Sequence, residues 1–451
     1  MIVALMGGSV VDRSGRRRAD VLARDGVIVH VGSDLDPPSD ALVLEADGCV
    51  VSPGLVDLHT HLRQPGAEEA ETIETGSRAA ALGGYTAVVA MPNTEPAIDS
   101  AGVVREVRDL AAAALCEIAV AGAITCDRAG QRMAPIAEMA ALGVRIFTDD
   151  GSGVQDGALM RRALDYARGL GVILAEHCED QSLGGGVMHE GAWSSRLGLP
   201  GVPAAAEETM LARDLALVRA SGTPMHFLHL STAGSAELVR NAKGEGLPVT
   251  AEATPHHLSL TDASVQGYDP VFKVNPPLRG PLDVLAVRRA LAEGTIDAVA
   301  TDHAPHTPEA KELAFADAPP GMLGLETALA VSLAAMDGSA FALEGGPEAS
   351  GHGGSRGVPD GATLGLDGLL ARLTWMPARI AGLTESQGGP VEPGRPANLC
   401  VFDPSAEWVV DPARLASRSR NTPFAGSRLS GRVRHTLFEG VPTVIDAEAQ
   451  R

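Results

Sequence analysis

The sequence predicts an α/β protein: a (β/α)8 TIM barrel with a small β-sandwich domain formed by both chain ends. Three observations carry the prediction. Between residues 54 and 301, eight short apolar runs alternate with longer Ala- and Leu-rich segments of helical spacing, the order of a parallel sheet with helical crossovers. Eight such units suit a closed barrel better than an open sheet. Outside that region the chain reads instead as short strands punctuated by turns.

In chain order, residues 1–53 hold the strands Ile2–Met6, Ala19–Ala23, Val27–Val31 and Ala41–Glu45, separated by Gly-Gly, Arg-Asp-Gly and Ala-Asp-Gly. The barrel is expected over 54–387, with strands at 54–59, 85–91, 116–123, 143–148, 171–176, 224–230, 247–252 and 297–301. The helices between and after them are expected at Glu68–Ala81, Asp99–Ala114, Gly157–Gly169, Ala205–Ala220, Thr232–Glu245, Leu282–Glu293 and Leu325–Met336. Asp99, Asp156 and Thr232 stand where N-caps belong. Residues 338–362 are Gly-rich, as a surface insertion is, and include His352. Helical spacing returns over 363–387. The strand pattern resumes in 388–451, at Gly394–Asp403 and Arg432–Glu439.

The totals narrow the partners. A formal net charge of −21 over 451 residues argues against nucleic acid and anionic membranes. No apolar run is long enough to span a bilayer, and the first residues lack the cationic start of a signal peptide. The five cysteines are scattered, without Cys-x-x-Cys, as in a reducing compartment. A soluble cytoplasmic protein is the expectation. Aromatic residues make up only 3% of the chain, so the core must rest on Ala, Val, Leu and Ile.

Chemistry gathers at the strand ends. The first strand runs Leu-Val-Asp-Leu-His59-Thr-His61, and a period of two puts both histidines on one face. The fourth ends in Asp149-Asp150, the fifth in Glu-His177, the sixth in His-Phe-Leu-His229 and the eighth in Ala-Thr-Asp302. His and Asp are ligands for borderline divalent metals. Four His and two Asp on one rim exceed what one ion needs and suit two ions bridged by a carboxylate.

His59-Thr-His61, Asn93 in Ala-Met-Pro-Asn-Thr, His177 in Glu-His-Cys-Glu-Asp, His229 in His-Leu-Ser-Thr and Asp302 in Ala-Thr-Asp-His-Ala-Pro-His306 together resemble the amidohydrolase superfamily, and more narrowly the class I bacterial dihydroorotases. The likeness spans nearly the whole chain. It implies a zinc-dependent, reversible cyclisation of N-carbamoyl-L-aspartate to L-dihydroorotate plus water, the third step of pyrimidine biosynthesis. It implies two Zn2+ per subunit: His59 and His61 on one, His177 and His229 on the second, and Asp150 bridging them. Some relatives bridge with a carboxylated lysine, but the fourth strand has no Lys; the family's spacing to His177 selects Asp150 over Asp149. Asp302 would touch the first zinc and carry the proton between hydroxide and the leaving ring nitrogen.

The same resemblance assigns the substrate carboxylate to Arg63, Asn93 and His306 and a further contact to Asn275, with His61 also beside the substrate. Residues Thr307–Gly321 read as a mobile lid whose Pro320 and Gly321 lie at the family's ring-contacting dipeptide, although Pro320 has no N–H to donate. A homodimer is implied, with association with aspartate transcarbamoylase as some relatives show. Several polar residues are expected to be structural: Asp57, the loop pair His256 and His257, His303 facing away from Asp302, and His226, whose parity opposite to His229 places it outside the barrel. Cys178 is a buried neighbour, and His30, His189 and His435 fit no pattern. Two rivals remain at this stage. One is another cyclic amidohydrolase, an allantoinase or hydantoinase, whose bridging lysine is missing here. The other is a non-catalytic partner of the transcarbamoylase, which the filled ligand positions oppose.

Overall fold

The structure is a computed structural model that describes residues 1–337 and 363–450. The Gly-rich stretch 338–362, with His352, lies outside the described residues. The chain is mixed α/β. Eight strands occur where the apolar runs place them: Leu55–Thr60, Tyr85–Ala90, Glu117–Val120, Ile146–Thr148, Ile173–Glu176, Met225–Phe227, Val249–Ala253 and Ala298–Val299. We number them first to eighth. The first three form one parallel sheet and the last five another. Parallel bridges Gly122–Phe147 and Thr60–His303 join the two sheets, so each strand neighbours the next and the eighth returns to the first.

Local chemistry explains the strand and helix ends. Gly54, which enters the first strand, has no room for a side chain: a Cβ would lie 2.0 Å from Thr86 Oγ1. Asp156 accepts the N–H groups of Ala158 and Leu159 at the start of Gly157–Arg168, and Thr232 accepts Ser235 N–H at the start of Ala233–Gly244. Helix Pro281–Glu293 begins on a proline, whose missing N–H costs nothing there, and stops at left-handed Gly294. Asp99 is not an N-cap. Helix Ala101–Leu110 starts one residue later, at Ser100, and the Asp99 carboxylate accepts Asp127 N–H instead.

Both chain ends share one core. Leu399–Val409 pairs antiparallel with Val50–Pro53 inside a seven-stranded sheet that also holds Ser9–Asp12 and Arg428–Phe438. Alternation along these strands buries two faces. Val10, Val51, Leu399, Val401 and Leu437 pack toward the four-stranded sheet containing Ile2–Met6, whereas Val11, Val50, Cys400, Phe402 and Val433 join the core of the eight-stranded ring. Short strands at Ser9–Asp12, Gly15–Arg18, Val50–Pro53 and Val441–Ile445 go beyond the sequence expectation, because two-sided burial and Arg-rich edges blur the alternating signal. Among the described residues, no helix is long and apolar enough to cross a membrane.

Candidate metal centre

Asp150 sits at the middle of the site. Its carboxylate lies 3.3 Å from His59 Nε2, 3.5 Å from His61 Nε2, 3.6 Å from His177 Nδ1 and 3.5 Å from His229 Nε2. Two potential metal-holding triads result, His59–His61–Asp150 and Asp150–His177–His229, which share Asp150. Every member is buried. Asp149 is turned away: its carboxylate accepts the N–H groups of Ile124 and Thr125 and the Thr125 hydroxyl. Asp302 closes the first triad, 2.9 Å from His61 Nε2 and 3.5 Å from His59 Nε2.

The outer nitrogens of three imidazoles are tied down. His59 Nδ1–H donates to Glu252 at 3.0 Å, His61 Nδ1–H to Asn93 Oδ1 at 2.8 Å, and His177 Nε2–H faces Glu179 at 3.4 Å. With a cation bound, each bond would select the tautomer whose lone pair points toward Asp150. His59 Nε2 is buried, faces two carboxylates and makes no hydrogen bond. An orphaned buried nitrogen costs about 1–3 kcal/mol, so this set of lone pairs and carboxylates fits divalent cations.

Charge follows the same geometry. Burial alone would lift the Asp150 and Asp302 carboxyls, but the surrounding imidazoles hold both well below the usual range. Burial would likewise lower His59 and His177, yet the carboxylates beside them win: His59 is held well above its usual value and His177 at about 10. His61 stays low, because burial and the Arg63 charge outweigh its bond to Asp302. Two buried carboxylates thus draw positive charge into the pocket.

Backbone strain marks the same residues. Arg63, His229 and Asp302 adopt positive φ of 61°, 31° and 46°, a conformation non-glycine residues seldom take and that clusters at functional sites. The turn at His229 overturns one expectation. The sixth strand ends at Phe227, so alternation no longer holds at residue 229, and His226 does not lie outside the ring. It points inward, its Nε2 3.0 Å from Glu252 Oε2 and its Nδ1 2.8 Å from Thr250 Oγ1. Glu252 thereby joins His226 of the sixth strand to His59 of the first, across the interior.

The expected substrate residues gather at the rim. Arg63 Nε donates to Pro305 O at 3.1 Å. Asn93 uses its oxygen on His61, which leaves its amide N–H groups free to face a ligand. Asn275 Nδ2 donates to Glu179 Oε2 at 2.6 Å. His306 Nε2 donates to Pro320 O at 2.8 Å, so that carbonyl is what Pro320 offers. Gly321 has φ 139°, and a Cβ there would lie 2.8 Å from His306 Nε2. His303 faces away from Asp302, toward Glu71 at 3.3 Å. Asp57 ties the first strand to the eighth through the Thr301 N–H and hydroxyl. His257 is held by Thr254 and by Pro276 O, as a loop-stabilising residue is. Sequence reasoning passed over Glu252 and Glu179. Glu179 stands two residues after His177 in a motif already singled out; Glu252 shows only as an acid inside an apolar strand. A cavity of about 690 Å³ lined by Trp408, Glu326, Arg414 and Arg432 lies elsewhere and includes none of these histidines.

A family model described as Dihydro-orotase-like matches residues 48–235. The dihydroorotase of Streptomyces coelicolor is 47% identical over 438 residues, 96% of this chain and 97% of its own. That of Mycobacterium tuberculosis is 48% identical over 436 residues, 96% of each. Among solved structures, the L-hydantoinase (dihydropyrimidinase) from Arthrobacter aurescens matches with a TM-score of 0.84 at 25% identity, covering 100% of this chain and 97% of its own. The dihydropyrimidinase from Brevibacillus agri gives 0.81 at 22% identity, over 100% and 96%, a likeness of fold.

Proposed function

This chain belongs to the dihydroorotase family, and we propose that it interconverts N-carbamoyl-L-aspartate and L-dihydroorotate in pyrimidine biosynthesis with two bound zinc ions. The observation that carries the reading is Asp150, shared by two His-containing triads. We read the ring of eight strands as a (β/α)8 barrel over 54–387, and the sheets of residues 1–53 and 388–451 as one β-sandwich. The strand order around the ring and the core common to both ends support this.

His59 and His61 would hold one zinc and His177 and His229 the other, with Asp150 between them and Asp302 beside the first. Zinc bound there would supply a hydroxide near neutral pH and polarise the amide carbonyl. The chain's own residues do the rest. Asp302 takes the proton of the attacking hydroxide and hands it to the ring nitrogen as the C–N bond breaks. In the reverse direction it takes the carbamoyl N–H proton as nitrogen attacks the side-chain carboxyl and returns it to the oxygen that leaves. The left-handed turn at Asp302 aims its carboxylate at the triad rather than along the strand. Arg63 binds the substrate carboxylate with its guanidinium, and the Asn93 amide and His306 add donors. Pro320, Gly321 and Asn275 wall the ring, and His61 lines the floor. A homodimer, a cytoplasmic setting and contact with aspartate transcarbamoylase belong to the same proposal.

The test is ring opening of dihydroorotate by the zinc-loaded protein, with allantoin and hydantoin run alongside. Dihydroorotate turnover that chelation abolishes and zinc restores is the expected result. Turnover of hydantoin or allantoin in its place would refute the substrate assignment. Inactivity toward all three would refute catalysis by the chain alone.

A further inference from the structure

Two lysines on different loops cross over at the rim. Lys311 lies in the short helix Pro308–Lys311 after the eighth strand, and Lys273 lies two residues before Asn275 after the seventh. Both are only 8% exposed. Lysines are seldom buried so far, and although the Asp269 charge favours Lys311 and that of Asp317 favours Lys273, the bonds these amines make go to backbone carbonyls. Lys311 Nζ donates to Pro319 O at 2.8 Å on its own loop and to Pro270 O at 3.0 Å on the other. Lys273 Nζ donates in the opposite direction, to Ala316 O at 2.8 Å. The Gly321 N–H returns to Lys273 O at 2.9 Å.

These bonds span the two loops whose ends carry Asn275 and Gly321. We propose that Lys311 is a positioning residue: its cross-loop bonds, seconded by Lys273, fix Asn275 and the Pro320–Gly321 wall relative to each other before substrate arrives. The inference rests on the dihydroorotase reading and extends it to residues outside the first ring of contacts. Two observations support a built clamp rather than chance proximity. The bonds run in both directions between the loops, and the arrangement is electrostatically costly. Burial and the neighbouring Lys273 charge push the Lys311 amine down to about 7, and burial also lowers Lys273. A rim wall held in place beforehand spares substrate the ordering of two loops, and its loss appears chiefly in KM.

The experiment compares zinc-loaded wild type with Lys311→Met, which keeps the apolar stem and removes the donors, and with Lys311→Arg. Steady-state kinetics with dihydroorotate are read beside hydrogen–deuterium exchange over residues 312–321. The expected result for Lys311→Met is a KM raised about tenfold, since a charge-assisted bond is worth about that much or more. The kcat should change less, zinc content should match wild type, and exchange over 312–321 should speed up and slow again on adding substrate. Lys311→Arg should recover part of both effects. Should Lys311→Met not fold, Lys273→Met, which frees only Ala316 O, is expected to move both readouts the same way by less. KM within twofold of wild type overturns the proposal. So does a raised KM with unchanged exchange, which would mark a direct charge effect, or a loss of zinc, which would mark a general structural role. Wild type inactive on dihydroorotate overturns the underlying reading instead, and exchange alone then judges the clamp.

Discussion

Replacing Glu252 by Gln should weaken one metal position and spare the other. The Glu252 carboxylate is fully buried, and each oxygen accepts one imidazole N–H at 3.0 Å, from His59 Nδ1 and His226 Nε2. A glutamine of the same shape has one acceptor and one donor, so its NH2 must face one of those N–H groups. Where it faces His226, that ring must move its proton to Nδ1, beside the Thr250 hydroxyl, or leave a buried donor orphaned at about 1–3 kcal/mol. Where it faces His59, the ring is driven to the other tautomer, with a proton on Nε2 where the lone pair should meet the metal. Loss of such a supporting bond costs about ten- to a hundredfold in metal affinity, or about 1.4–2.8 kcal/mol. Competition against a chromophoric chelator, titrated through two zinc equivalents, reads the positions separately. On the proposed two-zinc reading, a zinc on His59 and His61 should weaken by that factor, while one on His177 and His229 should hold within a few-fold. Equal weakening of both, or of neither, would refute the claim that Glu252 acts through the His59 tautomer.

Asp302→Asn should retain zinc and lose about a hundredfold or more in kcat, the scale of a positioned general base; near-normal turnover by the metal-loaded variant would remove Asp302 from proton transfer. Arg63→Ala should raise KM for dihydroorotate by about ten- to a hundredfold, the worth of a charge-assisted carboxylate bond, and an unchanged KM would take Arg63 out of the carboxylate site. The third concerns acid. Burial would raise the Glu252 carboxyl, but its bonds to His226 and His59 hold it at about 2 rather than 4.5. On acidification the unfolded chain therefore takes up this proton first. The stabilisation is full above about pH 4.5, is lost as pH falls toward 2, and amounts to about 3 kcal/mol. Urea unfolding of the zinc-free protein at several pH values should show an acid loss that is smaller in Glu252→Gln by about 3 kcal/mol, the remainder coming from other depressed carboxyls such as Asp150 and Asp302.

Much of this molecule is legible in the sequence because much of it is local. The eight strands fall where the apolar runs place them, since a buried parallel strand is a short continuous apolar run whatever surrounds it. Most of the metal candidates are equally local, each a polar side chain ending such a run, and of the pair Asp149–Asp150 it is the Asp150 carboxylate that lies among the four histidines. Local reasoning fails where the backbone departs from its period. His226 and His229 both face inward, although three residues apart, because His229 takes a left-handed turn beyond the strand, and no count of residues reveals that turn. It fails again where partners are distant. Glu252 meets His59 across 193 residues, Glu71 meets His303 across 232, and Lys311 meets the carbonyl of Pro270 across 41. Composition and periodicity decide which residues are buried and which stand at a strand end, because those depend on neighbours a few bonds away. Which nitrogen of a histidine carries the proton, and which buried charge answers another, depends on groups that only closure of the fold brings within 3 or 4 Å.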